Sequence, residues 1–186
     1  LGFSSAASDV YKRQLLHIAK QMRENKSHSD KRILADVPGF QLPDGGTIPP
    51  EIFVTQKKPD IVMIDEKSGE IELFELTCCA DKLENIANAQ SRKYERYKEL
   101  SSAINGLDNY SCKLSCFEVC ALGNIPDHAR KTIRHLVGPR AARRTFQSLA
   151  KIAIATSYYT FNRRREREYH APPLFERRVL ESAAKG

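Results

Sequence analysis

The sequence predicts an α/β domain in which helices cover a mixed β-sheet. Three observations lead to this class: an apolar hairpin at residues 57–77, a long amphipathic helix pattern after it, and a further strand pattern after that helix. A hairpin pairs antiparallel, whereas a helical crossover between strands favours parallel pairing, so both kinds are expected in one sheet. A chain of 186 residues can form one domain with a substantial core.

The first fourteen residues are expected to be foreign to the protein. Within the sequence LGFSSAASDVYKRQ, residues 9–14 resemble a translated sequencing-library adapter, so residues 1–14 are left out of the fold prediction. The native start would then lie upstream, and the chain would be a fragment. The first predicted helix covers residues 15–24, where apolar side chains recur at helical spacing.

Residues 31–37 predict the first strand, which Pro38-Gly39 ends. The Gly- and Pro-rich segment 41–50 is too broken for regular structure and predicts a loop. An extended segment at 52–55 then leads towards the hairpin.

The hairpin itself has a defined predicted register. Residues 61–64 are all apolar, as in a strand that is covered on both faces, and Gly69 suits a tight turn that needs a positive φ. A turn centred between residues 67 and 68 gives three facing pairs: Ile64 with Ile71, Val62 with Leu73, and Asp60 with Glu75.

The last of these pairs is a candidate metal site. Directly facing residues have Cβ atoms roughly 4.5–5.5 Å apart, so the carboxylates of Asp60 and Glu75 would repel each other unless a cation lay between them. Mg²⁺ or Mn²⁺ prefers such oxygen ligands. The alternative is two strand-end carboxylates in solvent. Pro59 at a strand start and the apolar neighbours of Glu75 favour the buried pair.

The residues around this pair resemble a nuclease signature. Lys58-Pro59-Asp60, a hydrophobic hairpin and Glu75-Leu76-Thr77 resemble the PD-(D/E)XK pattern. The closer resemblance is to the restriction-endonuclease-like domain of site-specific non-LTR retroelement reverse transcriptases, where a helix with a segment like Arg92-Lys93-Tyr94 follows. The resemblance covers roughly residues 33–122. It departs from the parent signature at Thr77, where that signature has a lysine.

The resemblance implies a restriction-endonuclease-like fold and Mg²⁺-dependent hydrolysis of phosphodiester bonds in DNA. Asp60 and Glu75 would hold the ion, with the backbone carbonyl of Leu76 as a further ligand. The domain would belong to a larger polyprotein with a reverse transcriptase and act in the nucleus, and its cut would leave a 3′-hydroxyl that primes reverse transcription. Two alternatives stay open: an inactive nuclease fold that only binds nucleic acid, and a structural or protein-interaction domain.

The helix predicted over residues 81–105, with Asp81 as its N-cap, carries Lys93 inside an apolar stripe. In one interpretation the lysine stem only covers apolar surface. In the other, the helix packs on the hairpin and Lys93 points at the two acids, where it replaces the lysine missing at position 77 and assists catalysis. Further residues predicted to support the site are Glu24, Thr77, Gln90 and Tyr97.

Three more elements are predicted after this helix: a strand over 113–122, a helix over 126–137 and a long helix over 140–168, followed by a loose tail. We divide the native part into a nuclease-like core (15–125), a basic helical extension (126–168) and the tail (169–186). The predicted apolar face of the long helix comprises Phe146, Leu149, Ala150, Ala153, Ile154, Tyr158 and Phe161.

The charge distribution suits an anionic partner such as DNA. The net charge is +7, and residues 126–186 carry 14 Lys or Arg against 5 Asp or Glu, a net of +9. The side chains predicted to contact phosphates are Lys57, Lys58, Arg140, Arg143 and Arg144; simple solvation is the alternative. No apolar run approaches the ~20 residues that cross a bilayer, so no membrane partner is expected. The five cysteines predict buried thiols in a reducing, intracellular setting.

Overall fold

A computed structural model describes residues 2–163, with side chains from Val10 to Asn162 apart from those of Leu83, Thr160 and Phe161. This part of the chain contains four strands, four α-helices and one short 3₁₀ turn. In chain order the strands and α-helices are α1 Gly2–Glu24, β1 Arg32–Ala35, β2 Ile61–Asp65, β3 Glu70–Thr77, α2 Leu83–Asn105, β4 Ser111–Glu118, α3 Asp127–Val137 and α4 Pro139–Arg163.

The strands form one mixed sheet in the order β1-β2-β3-β4. The first two pairings are antiparallel, and β4 lies parallel to β3 because α2 carries the chain back along the sheet. The predicted α/β class with a mixed sheet is therefore confirmed. So is the hairpin register, since Val62 faces Leu73 and Ile64 faces Ile71.

The hairpin turn shows why its glycine is needed. Gly69 has a φ of +71°, the left-handed region that residues with a Cβ rarely adopt. A Cβ at this position would also lie 2.2 Å from the carbonyl oxygen of Asn109. The turn and the loop before β4 thus approach each other too closely for any other residue.

Helices cover both faces of the sheet. On one face Ile71 and Leu73 pack with Tyr97, Leu100 and Ile104 of α2. On the other face α1, α3 and α4 share a core with the sheet, to which Leu15, Ile18, Phe74, Leu76, Ile133 and Leu149 contribute. Helices α3 and α4 therefore form part of the main core rather than an appendage to it.

Several predicted boundaries are wrong. Helix α1 begins at Gly2 instead of residue 15. Asp81 does not cap α2: its carboxylate accepts a hydrogen bond from the backbone N–H of Leu122 (2.9 Å), and Lys82 takes the N-cap position. A tertiary contact has replaced the local one. Strand β4 begins two residues earlier and ends four residues earlier than predicted, because the chain turns at Cys120, whose N–H donates to the Asn124 carbonyl.

The apolar face of α4 is the predicted one only in part: Leu149 and Ala153 are buried as predicted, and Phe146 packs against the core. Ile154 and Tyr158 are 50% and 69% exposed. The buried side also includes four residues that were not predicted: Ala142, Thr145, Ile152 and Thr156. The predicted helix end at 164–168, Phe161 as a core residue and the tail at 169–186 lie outside the residues, or side chains, that the structure describes.

None of the helices within residues 2–163 has both the length and the apolar character that a bilayer crossing requires.

The half of α1 that the sequence marks as foreign contains a poorly matched core residue. Gln14 is 0% exposed, yet neither its amide oxygen nor its amide nitrogen has a hydrogen-bond partner among the described residues. Buried polar groups of native proteins are nearly always paired. An unpaired amide is what we expect where a residue not selected for this fold occupies a core position.

We therefore expect Gln14→Leu to stabilise the chain. An unpaired buried polar group costs about 1–3 kcal/mol, and the substitution removes that cost at similar volume. Chemical denaturation should show a gain of this order in the free energy of unfolding. Gln147→Leu, at an exposed position of α4, is the control and should change little. A loss of stability in Gln14→Leu would show that the amide has a partner in solution.

Candidate active site

Two buried carboxylates meet at the end of the hairpin away from its turn. Asp60, just before β2, is 4% exposed, and Glu75 in β3 is 0% exposed. They interlock through the backbone: the Asp60 N–H donates to Glu75 Oε1 (3.1 Å), and the Leu76 N–H donates to Asp60 Oδ2 (2.8 Å). The two acids therefore lie on the same side of the sheet, as the register predicted.

The ammonium of Lys93 lies between these carboxylates. Its Nζ is 3.1 Å from Asp60 Oδ2 and 2.7 Å from Glu75 Oε2. Helix α2 thus packs on the hairpin and points Lys93 at the acids, which is the placement that the second interpretation predicted. Since two carboxylates share one ammonium, the three ionised groups together carry a net charge of −1. The Lys93 side chain is 19% exposed, so the cluster has one side open to solvent.

Burial dominates the electrostatics of this cluster. It raises the pKa of Asp60 against the lowering effect of Lys93, and together with repulsion from Asp60 it raises the pKa of Glu75 to about 8. Burial lowers the pKa of Lys93, but the two carboxylates outweigh it and leave that pKa above the usual value. Near neutral pH the cluster therefore holds a proton that a bound cation would displace.

This proton makes stability depend on pH. Between about pH 4.5 and 8 Glu75 holds a proton in the folded chain and releases it on unfolding, so the free energy of unfolding should fall as pH rises through this window. One such proton gives a slope of about 1.4 kcal/mol per pH unit. Asp60 and Glu118, whose pKa values are also raised, act in the same direction.

We expect Glu75→Gln to reduce the slope measured by denaturation in EDTA between pH 6.5 and 8. His17, whose pKa burial lowers, acts with the opposite sign mainly below pH 6.5, and its contribution declines across this window. Glu70→Gln, at an exposed position of the same strand, should keep the full slope. An unchanged slope in Glu75→Gln would mean that Glu75 is already ionised at neutral pH.

Two tyrosines flank the acids. The Tyr97 hydroxyl donates to the carbonyl oxygen of Lys58 (2.8 Å), which fixes the chain just before Asp60, and burial raises the pKa of Tyr97 to about 12. The Tyr11 hydroxyl donates to Asp60 Oδ1, and the Lys93 Nζ lies 5.5 Å from the centre of the Tyr11 ring. Tyr11 belongs to the segment that we expect to be foreign, and its hydroxyl covers Asp60 Oδ1.

The structure does not bring every predicted supporting residue to the acids. Glu24 is exposed, accepts a hydrogen bond from Gln21 (2.9 Å), and lies thirteen residues along α1 from Tyr11, roughly 20 Å at 1.5 Å per residue. The prediction that Glu24 supports this site is therefore wrong. Gln90 contacts His128 instead (2.7 Å). Thr77 is 8% exposed and faces Glu118 across the sheet.

The predicted phosphate-binding residues separate into two groups. The Lys57 Nζ donates to the Arg96 carbonyl (2.9 Å), so it is tied to α2, whereas Lys58 is exposed. Arg140 and Arg144 line a cleft of about 790 Å³ between α1 and the start of α4, and Arg143 is not among its lining residues. The cleft contains further basic residues that the sequence prediction missed, Lys20 and Lys26 among them, together with Arg13 and Glu24.

Two further residues, Glu118 and His128, were given no role from the sequence. The distance from Glu118 Oε2 to His128 Nε2 is 2.5 Å. A signal was present, since Phe117-Glu118-Val119 repeats the pattern of an acid between apolar neighbours that marked Phe74-Glu75-Leu76.

The five cysteines are free thiols. Burial raises the pKa of the Cys120 thiol to about 12, whereas the other four side chains are only half-buried, so the prediction of buried thiols holds for Cys120 alone. Cys79 and Cys120 are neighbours, with their Sγ atoms 3.8 Å apart.

Comparison of the chain with protein-family models gave no match, and comparison with curated proteins gave none either. Within residues 2–163, no group of three or more His, Cys, Asp or Glu side chains is placed to hold a metal ion. An ion held by Asp60 and Glu75 would therefore need backbone or water oxygens to complete its coordination shell, which is the usual situation for Mg²⁺.

Proposed function

We propose that the chain is a Mg²⁺-dependent DNA endonuclease domain with a restriction-endonuclease-like fold. The observation that carries the proposal is the shared ammonium: two buried carboxylates from adjacent strands already hold one positive charge jointly. The motif residues Pro59, Asp60, Glu75 and Lys93, which are spread over more than thirty positions, come together at one point of the fold.

The donor set fits a divalent ion if Lys93 withdraws. Mg²⁺ is usually held by one or two carboxylates and keeps several waters, which matches Asp60 and Glu75 with the Leu76 carbonyl as an additional ligand. When bound, the ion would polarise a phosphate oxygen and favour ionisation of an attacking water. Asp60 and Glu75 would hold the ion in place and exclude bulk water from its inner side, because both side chains are buried. Lys93, on the open side, would offset charge on the phosphate.

The same arrangement favours a second candidate, an inactive nuclease fold that only binds nucleic acid. In that case Lys93 would stay between the acids as a permanent structural cation, and Thr77 would mark the loss of the signature lysine. Membership of a retroelement polyprotein, a nuclear location and priming of reverse transcription rest on the motif resemblance alone and form part of the proposal.

The experiment that separates the two candidates is nicking of supercoiled plasmid by the full chain in Mg²⁺ and in EDTA. The nuclease proposal expects nicks in Mg²⁺ only, and faster nicking by Tyr11→Phe, which frees Asp60 Oδ1. Salt-sensitive DNA binding without nicking in either protein would favour the binding module. Absence of both would favour a structural or protein-interaction role.

The basic cleft between α1 and α4 is the candidate surface for the DNA backbone. It brings together Lys20 of α1, Lys26 of the 3₁₀ turn that follows, and Arg140 and Arg144 of α4, with Glu24 as an opposing charge. Lysine and arginine contacts of this kind position nucleic acid without reading its sequence. The cleft residues would contact phosphates of the duplex while the acids act on one strand.

We expect the triple alanine variant of Lys20, Arg140 and Arg144 to weaken DNA binding and its salt dependence together. The slope of log affinity against log salt should fall by about 0.9 for each phosphate of the duplex that the variant no longer neutralises. The charge-matched control replaces Lys113, Lys131 and Arg134, which are exposed and do not line the cleft. Fluorescence anisotropy over a salt series measures both. Equal salt slopes in the two variants would show that the cleft residues do not contact the DNA backbone.

A further inference from the structure

A third buried carboxylate lies on the same face of the sheet as Asp60 and Glu75. Glu118, the last residue of β4, is 0% exposed and faces Thr77 of β3, two positions beyond Glu75. Glu118 Oε2 lies 2.5 Å from His128 Nε2, whereas Oε1 has no hydrogen-bond partner among the described residues. Buried carboxylate oxygens are normally paired, because an unpaired charge is costly inside a protein.

Three elements converge at this point. His128 comes from the first turn of α3, Glu118 from the end of β4, and Gln90 from α2, where it lies one turn before Lys93. Gln90 Nε2 is 2.7 Å from His128 Nε2, the atom that also faces Glu118. A histidine and a carboxamide on two helices thus meet one carboxylate of the sheet.

The hydrogen bonds of this cluster cannot all be satisfied by a neutral imidazole. One ring nitrogen either donates a proton or accepts one, an amide nitrogen only donates, and an ionised carboxylate only accepts. If His128 Nε2 donates to Glu118, it cannot accept from Gln90. If it accepts from Gln90, its lone pair faces the carboxylate.

A divalent cation would resolve both features. Turning the Gln90 amide, whose oxygen and nitrogen are interchangeable in shape, directs its oxygen inward beside the Glu118 oxygens and His128 Nε2. One carboxylate, one imidazole and one amide oxygen suit a first-row divalent transition ion such as Mn²⁺, Co²⁺ or Zn²⁺ better than Mg²⁺. The His128 side chain is 46% exposed, which gives an ion access and lets the ring move aside to admit it.

We propose that Glu118, His128 and Gln90 form a binding site for a divalent transition-metal ion, distinct from the Asp60–Glu75 site. The ion would take the Glu118 oxygen that is otherwise unpaired and tie β4, α2 and α3 together. Because α2 also carries Lys93, the ion would fix the helix that positions the ammonium at the first site. The proposal does not require that the chain cleaves DNA.

The test is Co²⁺ titration of the EDTA-stripped full chain, followed by visible absorption and calorimetry. We expect the absorption that imidazole-bound Co²⁺ produces, and at least about a tenfold loss of affinity for this site in both Glu118→Gln and His128→Asn. Asp60→Asn should leave this signal in place. Glu72→Gln is the matched control, because Glu72 also pairs with a histidine (His135 Nε2, 3.0 Å) but is only partly buried.

Two outcomes would overturn the site. Co²⁺ absorption unchanged in both Glu118→Gln and His128→Asn would mean that the ion binds elsewhere. Absence of Co²⁺ binding in the wild type, with a native circular dichroism spectrum, would mean that the cluster is only an internal Glu118–His128 ion pair. Co²⁺ binding that needs Glu118 in a chain that never nicks DNA would support this site and count against the nuclease, so the two proposals fail separately.

Discussion

Asp60→Asn and Glu75→Gln are each expected to lower Mg²⁺-dependent nicking by on the order of a thousandfold. Charge stabilisation by a bound metal is worth several kcal/mol, and each ~1.4 kcal/mol is a factor of ten in rate. Both substitutions keep the side-chain shape, so the backbone contacts between Asp60, Glu75 and Leu76 can persist. The loss should therefore appear in the rate and in metal affinity, and not in the fold.

The measurement is the single-turnover nicking rate at saturating protein, with circular dichroism as the check on folding. Asp65→Asn is the matched control. Asp65 is the last residue of β2, at the turn end of the hairpin, and its carboxylate accepts hydrogen bonds from the N–H groups of Lys67 and Ser68. Its rate should be close to that of the wild type. Wild-type rates in Asp60→Asn and Glu75→Gln would separate any nicking activity from this site.

Lys93→Met is expected to affect both catalysis and stability. Removing one partner of a buried ion pair costs about 3–5 kcal/mol, because the remaining charges lose their counter-ion. The loss should be larger at pH 8 than at pH 6, where Glu75 can hold a proton instead. Nicking should fall on the order of a hundredfold, as for other groups that stabilise developing charge.

Lys98→Met serves as the control for the loss of a lysine from α2. Lys98 is on the exposed side of the helix and pairs with Glu95, so its removal should cost little. Mg²⁺ should restore most of the stability of Lys93→Met, because the ion supplies the missing positive charge. If Mg²⁺ stabilises neither Lys93→Met nor the wild type, the two acids form a lysine-binding pair and not a metal site.

The hairpin and its acids could be predicted because local rules fix them. Strict alternation after Gly69 allows one register only, since a shift by one residue would move Ile71 and Leu73 out of the core. Lys93 could be placed because it was the one charged residue in the apolar stripe of a long helix, whose phase is fixed by the buried residues on either side, Ala89 and Tyr97.

The remaining features depend on contacts between distant parts of the chain. The pairing of Asp81 with the Leu122 N–H joins residues 41 positions apart, and it overrides a local capping preference. The face of α4 was only partly predicted, because Ile154 and Tyr158 were expected inside, whereas the smaller Ala142 and Thr145 are buried. Glu118 meets His128 because α3 packs against β4, and no local pattern in the sequence sets that packing.

The central claim is that Asp60 and Glu75 jointly bind a divalent ion. Anomalous diffraction from a crystal of the Tyr11→Phe chain soaked in Mn²⁺ tests it most directly, because that variant frees the Asp60 oxygen that Tyr11 covers. We expect a peak between the two carboxylates, with the Lys93 ammonium moved out of the position it now holds. No peak, and an ammonium still bridging Asp60 and Glu75 at Mn²⁺ concentrations that support maximal nicking, would contradict the claim.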